Sequence, residues 1–181
     1  MKALFLTILI LVTGNSFGTS IQPGNIRLQL ATTSLTVLHY LPFGEQKATV
    51  ISVNSLGDVV GSRCTEKTNV KLGVGRPVYT NCHDVKYVEF LSAEENRKME
   101  ILISEARHGK IKLPNPQTIH CLAVPNHSAR YTADNGNILL SVGTFPCGNG
   151  TFNTSKAAAE LVQTLREYSD KYNASFPTEL N

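Results

Sequence analysis

Between Ser92 and Gly109 the chain carries its least ambiguous local pattern. Met99, Leu102, Ile103 and Ala106 recur at i, i+3, i+4 and i+7, an apolar stripe of helical period. Ser92 and Glu95 have the spacing of a capping box. Glu94 and Glu95 suit the positive end of the helix dipole, and Arg107 and His108 the negative end. Gly109 is placed to stop the helix. The spacing therefore predicts a helix over 93–108, with Met99 in a core rather than on a cofactor.

Around this helix the pattern is short and β-rich. Segments 35–41 and 48–53 read as strands, with a turn at 44–46 between them and another at 54–58. Segments 59–63 and 70–72 are candidate short strands, and 73–77 is a breaker rich in Gly and ending in Pro. A phosphate cradle would need a helix directly after those glycines, and Pro77-Val78 does not supply one. Segments 118–124, 129–133 and 138–142 read as further strands, and Asn135-Gly136 as a hairpin turn. Ala158, Leu161, Val162, Leu165 and Tyr168 form the stripe of a second helix over about 156–171. That helix follows the last cysteine and is expected to dock as an appendage. Residues 19–34, rich in Thr, Ser, Gln, Gly and Pro, are expected to be loose. Strands, helix, antiparallel strands and helix in this order define an α+β chain.

The N-terminus reads as a secretory leader. Lys2 precedes a ten-residue apolar run, Ala3 to Val12, interrupted only by Thr7, and the small residues Ser16 and Gly18 mark a cleavage point after Gly18. Ten residues make about 15 Å of helix, half of a bilayer core. No later stretch is apolar enough to span, so no membrane partner is expected and the protein is expected to be secreted. In an oxidising route Cys64, Cys82, Cys121 and Cys147 make an even set, for which two disulfides and three pairings are possible. Their spacings of 18, 39 and 26 residues are unlike metal-ligand spacing, so no metal or other cofactor is expected. Asn126, Asn149, Asn153 and Asn173 begin Asn-x-Ser/Thr sequons and are candidate glycosylation sites.

A net charge of +3 is too weak to mark a nucleic-acid binder by itself. Arg107, Lys110 and Lys112 cluster after the first helix, where a solvated basic patch is the ordinary reading. No hydrolase motif is present after the leader: Gly-x-Ser-x-Gly occurs only at 14–18, inside the leader, and His-Glu-x-x-His is absent. Of the five histidines, His39, His83 and His108 fit structural or surface roles. His120 and His127 lie in the strand region after the helix and are the candidates for chemistry.

Residues 79–147 carry Tyr79-Thr80-Asn81-Cys82, the helix, the strand series and a late Cys147. This arrangement resembles the ribonuclease-like secreted effectors of powdery mildew fungi, which are built on the fold of the fungal guanyl-specific ribonucleases. The resemblance covers about 70 of the 181 residues. It implies an antiparallel sheet packed on one main helix. The chain would then divide into a signal peptide (1–18), an N-terminal β extension (19–78), the ribonuclease-like core (79–150) and a C-terminal helical appendage (151–181). It also implies that Cys82 pairs with Cys147 and Cys64 with Cys121. Arg130 matches the family's strand arginine. Phe145 stands where the general-acid His would be, and 119–124 lack the base carboxylate, for which His120 is the only substitute. With two of three catalytic roles vacant, the expectation is a monomeric, non-catalytic effector. It would bind a host RNA or protein through Arg130, Phe145 and His120. An active secreted ribonuclease using His120 or His127 with Arg130 is the first alternative, and an unrelated secreted inhibitor or immunomodulatory binder the second. Segments 73–77 and 109–117 are the candidate inhibitory loops.

Overall fold

The computed structural model describes residues 26–33, 45–67, 78–113, 126–133, 136–144 and 149–176. Its elements run β1 (Ile26–Thr33), β2 (Glu45–Asn54), β3 (Asp58–Lys67), β4 (Val78–Phe90), α1 (Ala93–Ala106), β5 (Ile111–Lys112), β6 (Asn126–Ala133), β7 (Gly136–Thr144), β8 (Asn149–Asn153) and α2 (Lys156–Ala174). The strands form one antiparallel sheet in the order β4-β3-β2-β1-β6-β7-β8-β5. Two meanders, β1 to β4 and β6 to β8, are thus joined where β1 pairs with β6. The class is α+β, with one sheet and two helices and most of the body in strands.

β1 corrects the expectation that 19–34 is loose. Leu28 and Leu30 alternate with Arg27, Gln29 and Ala31, a two-residue period that puts one side of the strand on the core. In register, Leu28 faces Val53 and Tyr131, and Leu30 faces Ile51 and Ala129. All six side chains are buried. A strand paired on both sides is held by its neighbours, so its Gln- and Thr-rich composition does not decide its state.

Both helices contribute to that same core. Met99, Ile103 and Ala106 of α1 join it, as do Ala157, Ala158, Leu161, Val162, Leu165, Tyr168 and Tyr172 of α2. α2 is therefore not an appendage. The Tyr172 ring lies on the backbone of β3 at Gly61, and its hydroxyl donates to the carbonyl of Asp84 in β4 at 2.8 Å. The helix-to-sheet packing is made chiefly by α2, with α1 packed mainly on α2, so the expected ribonuclease-like packing on the helix at 93–108 is not shown. The sequence-based divisions at 78/79 and 150/151 do not coincide with breaks in the packing: β3 and β4 pair as neighbours, and the second division falls inside β8.

The local signals that carried real stereochemistry are present. The Ser92 hydroxyl accepts from the Glu95 N–H at 3.3 Å, and the Ser92 N–H donates to the Glu95 carboxylate at 2.8 Å. α1 ends at Ala106, so Arg107 is its C-cap and His108 lies beyond it. In the β2–β3 turn the Asn54 side-chain oxygen accepts from the N–H groups of Leu56 and Asp58, each at 2.9 Å. Gly57 takes a φ of +90° there, where other residues would be strained. Arg27 reaches across to this turn. It donates to the Asn54 carbonyl at 3.0 Å and to Asn96 at 2.6 Å, and pairs with Glu100 on α1. Burial lowers its pKa from the ordinary arginine value.

A second, smaller cluster of Ala31, Ala48, Val50 and Cys64 lies on the opposite side of the sheet, with Tyr79 packed on it. Cys64 is disulfide-bonded to Cys82 across β3 and β4. This corrects the pairing that the resemblance implied, Cys82 with Cys147 and Cys64 with Cys121. Neighbouring antiparallel strands bring the two residues within bonding reach, with Arg63 opposite His83 in the register. Cys121 and Cys147 lie outside the described residues, as do the candidate strands 35–41, 70–72 and 118–124 and the leader.

Candidate functional site

β6, β7 and α2 bring three polar side chains together. His127 on β6 and Ser141 on β7 face α2, from which Arg166 reaches down. His127 Nε2 lies 2.9 Å from Ser141 Oγ and 3.4 Å from an Arg166 guanidinium nitrogen. A guanidinium only donates, so Nε2 is the acceptor in both contacts and the ring carries its proton on Nδ1. The His127 pKa is lowered to about 4, first by burial and then by the positive charge of Arg166. Arg166 is itself lowered by burial, with Asp170 one helical turn away opposing the shift.

That pairing decides what the constellation can do. A hydroxyl donating to an imidazole has the outline of a nucleophile and its base. A general base, however, works best with a pKa near the operating pH. His127 falls well below neutrality, and protonating it places a second cation beside Arg166. The contact ties β6, β7 and α2 together and presents a hydroxyl and a guanidinium beside a neutral imidazole.

Beside them a groove of about 200 Å³ opens between β7–β8 and α2. Its apolar wall is Leu140, Phe152, Ala158 and Val162, and its polar rim is Ser141, Gln163 and Arg166. Ser141 and Arg166 therefore belong both to the histidine contact and to the groove. A second groove, about 140 Å³, lies between the helices over Met99, Leu102 and Tyr168. The Lys98–Glu160 ion pair, 3.3 Å long, joins two of its lining residues.

The residues expected from the sequence are placed differently. Arg130 donates from Nε to Ser128 Oγ at 3.0 Å. Strand alternation puts that pair on the opposite side of the sheet from His127. A site combining His127 with Arg130 is therefore excluded by geometry. Arg130 instead shares its side with Tyr79, whose phenol pKa is raised by burial and by Glu66 and opposed by Arg130. His120 and Phe145 lie outside the described residues. His83 is exposed, 3.2 Å from the Asn81 carbonyl, and His108 is exposed beyond α1.

Among the sequons, Asn173 is exposed on the last turn of α2. Asn153 is buried, and its Nδ2, the atom a glycan would occupy, donates to the Ala106 carbonyl at 2.8 Å. This corrects Asn153 as a glycan carrier in the folded protein, because the attachment atom is taken up inside the core. Asn126 and Asn149 sit in β6 and β8.

Sequence reasoning passed over Ser141 and Arg166. Arg166 stands four residues after Val162 on the border of the α2 stripe, and a cation there can reach the sheet beneath. Among the described residues no group of three His, Cys, Asp or Glu is arranged to hold a metal ion, and no helix is long and apolar enough to cross a membrane. Compared with protein-family models, curated proteins and solved structures, the chain matches none.

Proposed function

We propose that this chain is a secreted, non-catalytic binding protein that holds a small ligand in the groove between α2 and β7–β8. The observation that carries the reading is the His127–Ser141–Arg166 contact at the groove rim: its base is kept neutral and weak, while its hydroxyl and guanidinium border an apolar wall. An apolar body with one hydrogen-bonding head fits such a lining. The volume of about 200 Å³ exceeds the roughly 150 Å³ cavity that accepts benzene in a protein core. The ligand class is therefore a small aromatic or short aliphatic molecule, or a single side chain of a partner. Secretion is supported by the leader pattern at 1–18 and by the Cys64–Cys82 bond.

This reading shares the absence of turnover with the ribonuclease-like effector expected from the resemblance, and differs in where the ligand sits. Backbone amide NMR with phenol, indole and benzoate separates them. Shifts confined to Leu140, Ser141, Phe152, Ala159 and Gln163, and lost in Val162→Phe, support the groove. A fluorogenic RNA assay on the same protein is expected to show no cleavage. RNA turnover that disappears in His127→Ala would overturn the proposal. So would the absence of any groove shift at millimolar ligand.

A further inference from the structure

The turn after α1 and the short outer strand β5 carry a basic and apolar edge beside Phe152 of the groove wall. Ile111, Leu113 and Phe152 expose 46%, 71% and 40% of their surfaces. Arg107, Lys110 and Lys112 are exposed around them. None of these three cations is ion-paired among the described residues. From Arg107 to Leu113 the chain carries no acidic residue. The Lys112 ammonium sits 5.6 Å from the Phe152 ring centre on one side of the sheet, and strand alternation puts Ile111 and Leu113 on the other, so cations and apolar side chains meet along the edge of β5.

This surface is also held in place. Lys112 is in register with Phe152 and Ile111 with Asn153. The Lys110 carbonyl accepts from the Thr154 N–H at 2.8 Å. Asn153 fills the space that a side chain at Gly109 would need. The turn is therefore fastened to β8 and to the start of α2, so its backbone needs no ordering at binding.

We infer that this corner docks edge-on on an anionic lipid surface, with Ile111 and Leu113 entering the interface and Arg107, Lys110 and Lys112 meeting the headgroups. Anionic headgroups complement a cluster of unpaired cations, and the acyl boundary takes up the apolar side chains between them. A protein partner is the poorer fit, because lysine is depleted at the centre of protein interfaces. A nucleic acid would use the cations and leave Ile111 and Leu113 against water. The contact is peripheral and needs no spanning segment.

Vesicle flotation with the full mature chain tests this. Phosphatidylcholine vesicles containing phosphatidylserine should carry the protein at low salt, and pure phosphatidylcholine vesicles should not. Lys110→Gln with Lys112→Gln should lower partitioning about thirtyfold, at about fivefold per basic residue. Leu113→Ser should lower it about tenfold at unchanged charge. All three side chains are exposed, so the melting temperature should stay put, and raising the salt should weaken binding. Equal partitioning onto pure phosphatidylcholine, indifference to the lysine substitutions, or no flotation at low salt would overturn the inference. Capture of single-stranded RNA with the same lysine dependence, in the absence of flotation, would reassign the surface to nucleic acid.

Discussion

Asn153 and Ala106 are joined by a buried hydrogen bond, side-chain Nδ2 to carbonyl oxygen at 2.8 Å, while the Asn153 oxygen accepts from the Ser155 N–H at 2.9 Å. One side chain thereby closes the end of α1 and sets the entry of α2, whose N-cap is Ser155. The Ala106 carbonyl also accepts from the Gly109 N–H at 3.1 Å, so Asn153 adds a second donor there and is the partner of the Ser155 N–H. Asn153→Ala removes both side-chain hydrogen bonds and is expected to cost about 1–2 kcal/mol, read from urea denaturation. Ser155→Thr keeps both the cap and the sequon and should be nearly neutral. Peptide mass mapping of protein from a secretory host should find Asn153 unglycosylated.

Gly61 and Tyr172 make a second contact with no slack. A Cβ on Gly61 would lie 2.1 Å from a carbon of the Tyr172 ring. Gly61→Ala must displace the ring and break its hydrogen bond to Asp84, at about 2–3 kcal/mol. In the Tyr172→Ala background the same substitution should cost far less. Additive costs in that double-mutant cycle would show that the ring and the strand backbone do not compete for this space.

His127 makes stability depend on pH in a defined direction. Its folded pKa, about 4, lies below the ordinary 6.5, so the unfolded chain binds more protons between these values. The contribution is complete above about 6.5 and is lost as the pH falls toward 4. The full shift would be about 3 kcal/mol, and partial exposure of the ring reduces the expectation to about 1–2 kcal/mol. His127→Gln should lose less stability than wild type between pH 7 and pH 4, measured as the difference between their chemical denaturation curves. Parallel curves would mean that the ring is not held neutral.

The disulfide between Cys64 and Cys82 closes a loop with a sequence separation of 18 residues. In the chain-entropy model a loop of that size contributes about 3 kcal/mol. The Cys64→Ala/Cys82→Ala variant should unfold at correspondingly lower denaturant, and hydrogen exchange should quicken first in β4, which among the described residues is paired on one side only. A Cys82–Cys147 peptide recovered from the native protein would contradict the β3–β4 pairing.

The features legible along the chain lie within single turns and single helices. The capping box at Ser92, the stripe from Met99 to Ala106, the turn at Asn54–Asp58, the strand pairing around Gly136 and the buried stripe of α2 all depend on neighbours three or four positions away, and each is present. The tertiary structure alone decided the rest. β1 reads as a loose polar segment until β2 and β6 pair with it. α2 reads as an appendage until Tyr172 meets Gly61. Cys64 finds Cys82 because β3 and β4 are neighbours. The candidate site has the same origin: His127, Ser141 and Arg166 are 14 and 39 positions apart, counted from the histidine. No local period links such residues. Burial, register and the crossing of α2 over the sheet brought them together, and the same strand alternation sent Arg130 to the other side.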